Sequence, residues 1–396
     1  MSEKLETRNS NARFVAFVAA SALVGSGVGV AVNAGFSAYR INHENAADAC
    51  PTEPDDPTAT TAVEAYIDKA FSKPSSRIKK PSPADFGLHT LSSTHDPLKS
   101  YIAFKKHAII IGGDALPTPE VVASYKSVVE HVRPVLSSYG VSLDAPNTTR
   151  GAEGLNSSDE KRTIVALADF LLTYPVETIQ HTGLKHVAIQ TVIDNNRNII
   201  GEVFAAHPDT ITISPSNLVK NSNIHQIEED SQGVFKHELG HIIDYSICKP
   251  ASMHDLSRDP SYTVLNNGMK YGHNTDTKEI FDQSAKLFET VRLQSSKLGS
   301  KVCELISAQT KNVTYANKYA SIFNAGEDKG VTGALLFELG YYPYILSMKH
   351  SPLRAKFVKL LARFYQSDAA SAEYMINEAA FKSAQDTPYL SNCVAK

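Results

Sequence analysis

Tryptophan is absent from this chain of 396 residues, and neither sign of charge dominates it: 39 Lys and Arg stand against 42 Asp and Glu, a formal net charge of −3. Basic residues nowhere run beyond pairs such as Lys79-Lys80 and Lys105-Lys106. That excludes the clustered positive footprint by which proteins hold nucleic acid. Cysteines are few (Cys50, Cys248, Cys303 and Cys393), and none are spaced as the CxxC of a metal knuckle. There is no internal repeat. Long apolar runs are missing too, with one exception at the N-terminus.

That exception is residues 14–32, an uncharged, Gly- and Ala-rich stretch that follows Lys4, Arg8 and Arg13. It reads as a signal peptide cleaved after Val32-Asn33-Ala34 or as a retained membrane anchor, because about 20 apolar residues span a bilayer. Either way residues 40–396 are expected outside the cytoplasm, secreted or tethered by a single transmembrane segment. Disulfides suit an oxidising compartment. The expected pairs are Cys248–Cys303 and Cys50–Cys393, with buried free thiols as the alternative. Asn147, Asn156 and Asn312 head glycosylation sequons of the frequency chance allows.

Four segments are expected: residues 1–39 as signal or anchor, 40–97 as a Pro/Ser-rich tether and loop, 98–230 as an N-terminal α/β lobe, and 231–396 as a mainly helical C-terminal lobe. The tether is interrupted by one short helix over residues 62–71. In the α/β lobe a buried strand is expected at residues 108–111 and helices from Thr118 to about Ser138 and over residues 161–173. Strands follow at 186–193, 199–204 and 210–214, with Asn195-Asn196 and His207-Pro208-Asp209 as turns. Helices are then expected over residues 277–298, 329–349 and 353–366, the last basic and amphipathic. The fold class is therefore α+β.

Chemistry is concentrated in His237-Glu238-Leu239-Gly240-His241, an HExxH motif. Histidines four apart stand one above the other on a helix, so both imidazoles reach one metal ion. Glu238 points about 100° round the helix from His237, placed to act as general base toward a water activated by zinc. Phe235, Leu239 and Ile242 form an i, i+4, i+7 stripe that would bury the back of the helix. Asp230 and Ser231 are the expected N-caps, and the helix is expected to end near Cys248. Gly240 weakens it by about 1 kcal/mol relative to Ala, a cost easier to accept where another backbone or a substrate passes close.

Residues 234–244, Val-Phe-Lys-His-Glu-Leu-Gly-His-Ile-Ile-Asp, resemble the zincin metallopeptidases and, among these, the anthrax-lethal-factor-like peptidases. The resemblance covers residues 185–365. It implies a zincin plan: a mixed sheet with helices in an N-terminal lobe, a helical C-terminal lobe, the active-site helix between them and a cleft between the lobes. It also implies one Zn2+ per chain and a short strand before the helix, a place filled by residues 209–214.

A catalytic zinc takes three protein ligands, and six residues after His241 stands Ile247 rather than a third histidine. The resemblance implies a glutamate at the start of a later helix, preceded by an Asn cap and a Tyr. Residues 319–327 reproduce this with one extra residue: Tyr319 as hydrogen-bond donor to the oxyanion, Asn324 as cap and Glu327 as ligand. Val331 stands where that family carries a second acid, and Gly330 and Gly333 weaken the helix. Glu338, set in an apolar helix where a carboxylate needs a partner, is a second candidate. Glu279, on what reads as a solvated surface helix, is a third. Asp244, on the metal face, is expected either to accept a hydrogen bond from a ligating imidazole or to pair with a Lys or Arg.

The expected function is hydrolysis of a protein or peptide substrate, with Glu238 carrying the proton from water to the leaving amine. The strand over residues 209–214 is a candidate edge for binding extended substrate, or else an interior strand. The alternative is a non-catalytic surface or binding protein on a degenerate zincin scaffold, or a zinc site used only for structure.

Overall fold

The computed structural model describes residues 57–72, 79–108, 125–144, 157–190, 200–204, 207–215, 227–248, 259–272, 275–316, 320–321 and 324–394. These form an α+β protein, mostly helical, with one small mixed sheet of four strands. The apolar run 14–32 lies outside them. Among the described residues no helix is long and apolar enough to cross a membrane. The chain divides into two compact units: a sheet unit, Gly87–Ile242, and a helical unit made of Met1–Phe86 with Ile243–Lys396.

Helix α1 (Pro57–Phe71) belongs to the helical unit. The sheet unit contains α2 (Asp96–Ala108), α3 (Tyr125–Ser138), β1 (Ser142–Asp144), α4 (Ser157–Leu171), α5 (Val176–Thr182), β2 (His186–Ile189), β3 (Gly201–Val203) and β4 (Thr210–Ile213). Helix α3 buries Val128, Val132 and Val135, one side chain per turn along one stripe. Gly183, at φ +91°, closes α5 in the left-handed conformation that only glycine adopts freely, and so turns the chain toward β2. Ala108 ends α2 rather than starting a strand, and the rest of the strand expected at 108–111 lies outside the described residues.

Strand order is β1-β2-β4-β3, with β1, β2 and β4 parallel and β3 antiparallel to β4. The strand over residues 210–213 is therefore interior, bonded on both sides, and is not the edge offered to a substrate. Of the two readings of this strand the interior one holds, and among the described residues β1 and β3 are the outer strands. Burial agrees with the pairing: Ile211, Thr212 and Ile213 of β4 are all buried, whereas in β3 only Val203 is.

The next helix, α6 (Ile227–Cys248), begins ahead of the expected caps, so Asp230 and Ser231 lie inside its first turns. Phe235, Leu239 and Ile242 are fully buried along it, as their spacing requires. The boundary between the two units falls within this one continuous helix, after Ile242.

The helical unit resumes with the short α7 (Pro260–Thr263), then α8 (Thr275–Leu298), α9 (Lys301–Thr310), α10 (Ala325–Ala334), α11 (Tyr342–Ser347), α12 (Pro352–Ser367), α13 (Ala369–Asp386) and α14 (Pro388–Val394). Helix α1 packs on α12, α13 and α14 and buries Val63, Ile67 and Phe71, so this part of the expected tether is core.

Three expectations are corrected in this unit. The single helix expected over 329–349 is four short pieces: α10, two 3-10 turns that meet at Glu338, and α11. Pro343 lacks the N–H that a continuous helix would donate to the carbonyl of Leu339, and Gly340 further weakens the join. Helix α12 is not a simple basic amphipathic helix, because Lys356 is fully buried and Arg363 is 4% exposed. Finally, Cys303 on α9 and Cys393 on α14 form a disulfide, with Cα atoms 4.8 Å apart. That excludes both Cys248–Cys303 and Cys50–Cys393, since each expected pair uses one of these two residues. Spacing along a chain carries no information about which helices meet.

Candidate metal centre

Helix α6 brings His237 and His241 together because both lie on one face a turn apart. Their Nε2 atoms are 3.0 Å apart and their ring planes cross at 85°. Two nitrogens bound to one tetrahedral zinc at 2.0–2.1 Å stand about 3.3 Å apart. Nitrogens that face each other at this distance have either one shared proton or one shared cation between them. Binding a cation requires both protons to sit on Nδ1.

The acid brought to this pair is Glu327. The ligand atoms of His237, His241 and Glu327 all lie within 4.8 Å of one another, and all three residues are half-buried or more. Among the described residues no other group of three or more His, Cys, Asp or Glu side chains converges in this way. Asn324 caps α10, and its Oδ1 accepts the Glu327 N–H at 3.1 Å. Glu327 thus stands in the first helical turn, where the macrodipole favours an anion. Glu338, half-buried at the break between the two 3-10 turns, is not part of the group. Glu279 lies in α8, with its side chain outside the described residues, as is Tyr319 altogether. On the two sides of Tyr319, Tyr315 and Ala320 are buried in one apolar cluster with Val331.

Glu238 is 4% exposed and lies against the edge strand β3. A Cβ added to Gly201 would stand 2.8 Å from Glu238 Oε1 and 2.6 Å from Val234 Cγ1. Only a residue without a side chain lets this strand approach the carboxylate so closely. Nothing in the linear sequence around Gly201 signals that role.

Asp244 takes the ion-pair alternative. It is 1% exposed, and its carboxylate accepts from Lys329 Nζ at 2.8 Å and from Arg363 Nη1 at 3.1 Å. Asp259 completes the arrangement, 3.0 Å from Lys329 Nζ and 3.6 Å from Arg363 Nη2. Two acids and two bases therefore alternate in a closed, buried ring. Beside it Asp328 pairs with Lys356, which also donates to the Thr314 carbonyl at 3.0 Å, while Tyr271 donates to Asp328 at 3.0 Å. Burial pushes the Asp328 carboxyl up and the Lys356 ammonium down, and the attraction within the pair opposes both shifts. Of this network sequence reasoning offered only the pairing of Asp244 with a Lys or Arg, as one of two alternatives. The available signal was Lys356 and Arg363, seven apart on α12 and hence on one face.

A donor set of two imidazole nitrogens and one carboxylate oxygen is that of known catalytic zinc sites, and also suits other borderline divalent metals. The residues present fit the ion. No family model, no curated protein and no solved structure matches the chain.

Proposed function

We propose that the chain is a zinc-dependent metalloendopeptidase of the zincin type, with His237, His241 and Glu327 holding one Zn2+. The observation that carries this reading is the convergence of the two facing Nε2 atoms and the Glu327 carboxylate. A zinc ion held by these three residues would supply Lewis acidity, polarising a carbonyl and lowering the pKa of bound water toward about 7. Glu238, one residue along from His237, takes a proton from the attacking water and delivers it to the leaving amine. Its burial keeps bulk water from competing for that proton.

The edge position of β3 supports a peptide as substrate. An extended chain would add to β3 by main-chain hydrogen bonds and so pass beside Glu238 at Gly201. Tyr319 is proposed, from the lethal-factor-like resemblance, as donor to the oxyanion. Export is proposed from the apolar run 14–32, supported by the Cys303–Cys393 pair.

The test pairs metal content with cleavage. Purified residues 40–396 should hold about one zinc per chain, lost in Glu327→Gln, and should cleave a mixed peptide library. Glu238→Gln should keep the metal and lose cleavage by about 100-fold or more, the usual contribution of a general base. Zinc bound by both forms without cleavage by either would favour a binding protein on a degenerate scaffold. No zinc at all would overturn the reading.

A further inference from the structure

Three consecutive residues of α10 point to three different partners. Glu327 faces the histidine pair, Asp328 bonds Lys356 and Tyr271, and Lys329 bonds Asp244 and forms an ion pair with Asp259. Consecutive side chains on a helix diverge by about 100°. Anchors at Asp328 and Lys329 therefore fix both the rotation of α10 about its axis and its position along it, and the direction of Glu327 follows. Intrinsic helix propensity adds little to hold this setting. The helix is 10 residues long and includes Gly326, Gly330 and Gly333, and glycine is a poor helix former.

The anchors lead directly to the histidines. Asp244 lies on α6 one turn beyond His241, and its carboxylate grips Lys329, which lies 85 residues further along the chain. Arg363 on α12 holds the other oxygen of Asp244 and reaches Asp259 as well. The four groups are neutral in sum and nearly sealed, with Lys329 fully buried and the other three at most 6% exposed. Rupture of such a ring leaves an uncompensated buried charge, so α10 has no cheap alternative rotation.

We propose that the ring of Asp244, Lys329, Asp259 and Arg363 is a positioning device that sets the rotation of α10 and thereby aims Glu327 at the metal site. The proposal rests on the reading of Glu327 as zinc ligand. It assigns Lys329 a role distinct from that of a ligand or a catalytic residue.

The experiment compares the wild-type chain with Lys329→Met and with the charge-balanced Asp244→Asn/Lys329→Met, which removes one charge of each sign and stays folded if the single variant does not. Zinc affinity is measured by chelator competition, and the site's geometry by the visible absorption of Co2+ in place of zinc. Amide exchange is followed in the metal-free chains. In the charge-balanced variant zinc should bind about 10- to 100-fold more weakly, as when groups that orient a ligand are removed. The Co2+ spectrum should change, and the amides of Glu327 and Asp328 should exchange faster while those of β2 and β4 keep their wild-type rates. A folded variant with wild-type zinc affinity, Co2+ spectrum and exchange overturns the proposal. So does uniform loss of protection throughout the chain, because a purely structural role predicts that. Wild-type protein that binds no zinc defeats the metallopeptidase reading, while faster exchange confined to the start of α10 would still support the ring's hold on that helix.

Discussion

Both units have an apolar core, and the helical unit also buries a network of ion pairs within it. In the sheet unit the interior around the strands is aliphatic, with Val187, Ile211 and Ile213 fully buried and helices α3 and α4 adding Val132, Val135, Ile164 and Ala168. In the helical unit the interior includes Asp244, Asp259, Asp328, Lys329, Lys356 and Arg363, each at most 6% exposed. Apolar contacts are non-directional and tolerate small shifts, so they hold a scaffold together without selecting one arrangement. Buried ion pairs are costly to desolvate and gain little net stability, but they are strongly destabilised when one partner is lost. A core that includes such pairs suits the place where a side chain has to be aimed. The helical unit is also where Glu327 is carried.

The sharpest way to break this contrast is Lys356→Met, which strands the Asp328 carboxylate in the interior. The expected loss is about 3–5 kcal/mol in denaturant unfolding. A loss below about 1 kcal/mol would show that the ions are no more critical than aliphatic contacts. Next in size is Gly201→Ala on the edge of the sheet. Its methyl group would meet Val234 and Glu238 at 2.6 and 2.8 Å, and overpacking of this kind costs about 1–3 kcal/mol. Because the displaced group is the proposed base, cleavage should fall more than stability accounts for, which paired measurements of unfolding and peptide hydrolysis would reveal. The smallest effect is expected for Ile213→Val in the aliphatic core, about 0.5–1.5 kcal/mol by the same unfolding assay and with zinc affinity unchanged. Should Ile213→Val alter zinc binding as much as loss of Lys329 does, the division of labour between the cores would fail.

Much of the local design was legible before any coordinates. The stripe of Phe235, Leu239 and Ile242 is buried as its spacing requires, and Asn324 caps the helix that begins at Ala325. Helices α4, α8 and α12 fall close to their expected ranges, and α3 ends at Ser138 as expected, its expected start at Thr118 lying outside the described residues. Apolar periodicity over several turns is a strong signal. Other expectations failed or stayed open for one shared reason. The continuity of the helix past Glu338, the pairing of the cysteines and the choice between edge and interior strand all depend on neighbours remote in sequence or on the geometry of a join.

The order of residues by itself determined that two imidazoles and a carboxylate share one turn of helix, since 3.6 residues per turn leaves His237 and His241 no other relation within a helix. Tertiary structure alone decided that Glu327 rather than Glu338 joins them, that Asp244 pairs with Lys329 and Arg363, and that Cys303 meets Cys393. The physical reason is range. Helical spacing acts within one turn, whereas these encounters join segments tens of residues apart. They are chosen by how whole helices pack and by the penalty for leaving a buried charge without its partner.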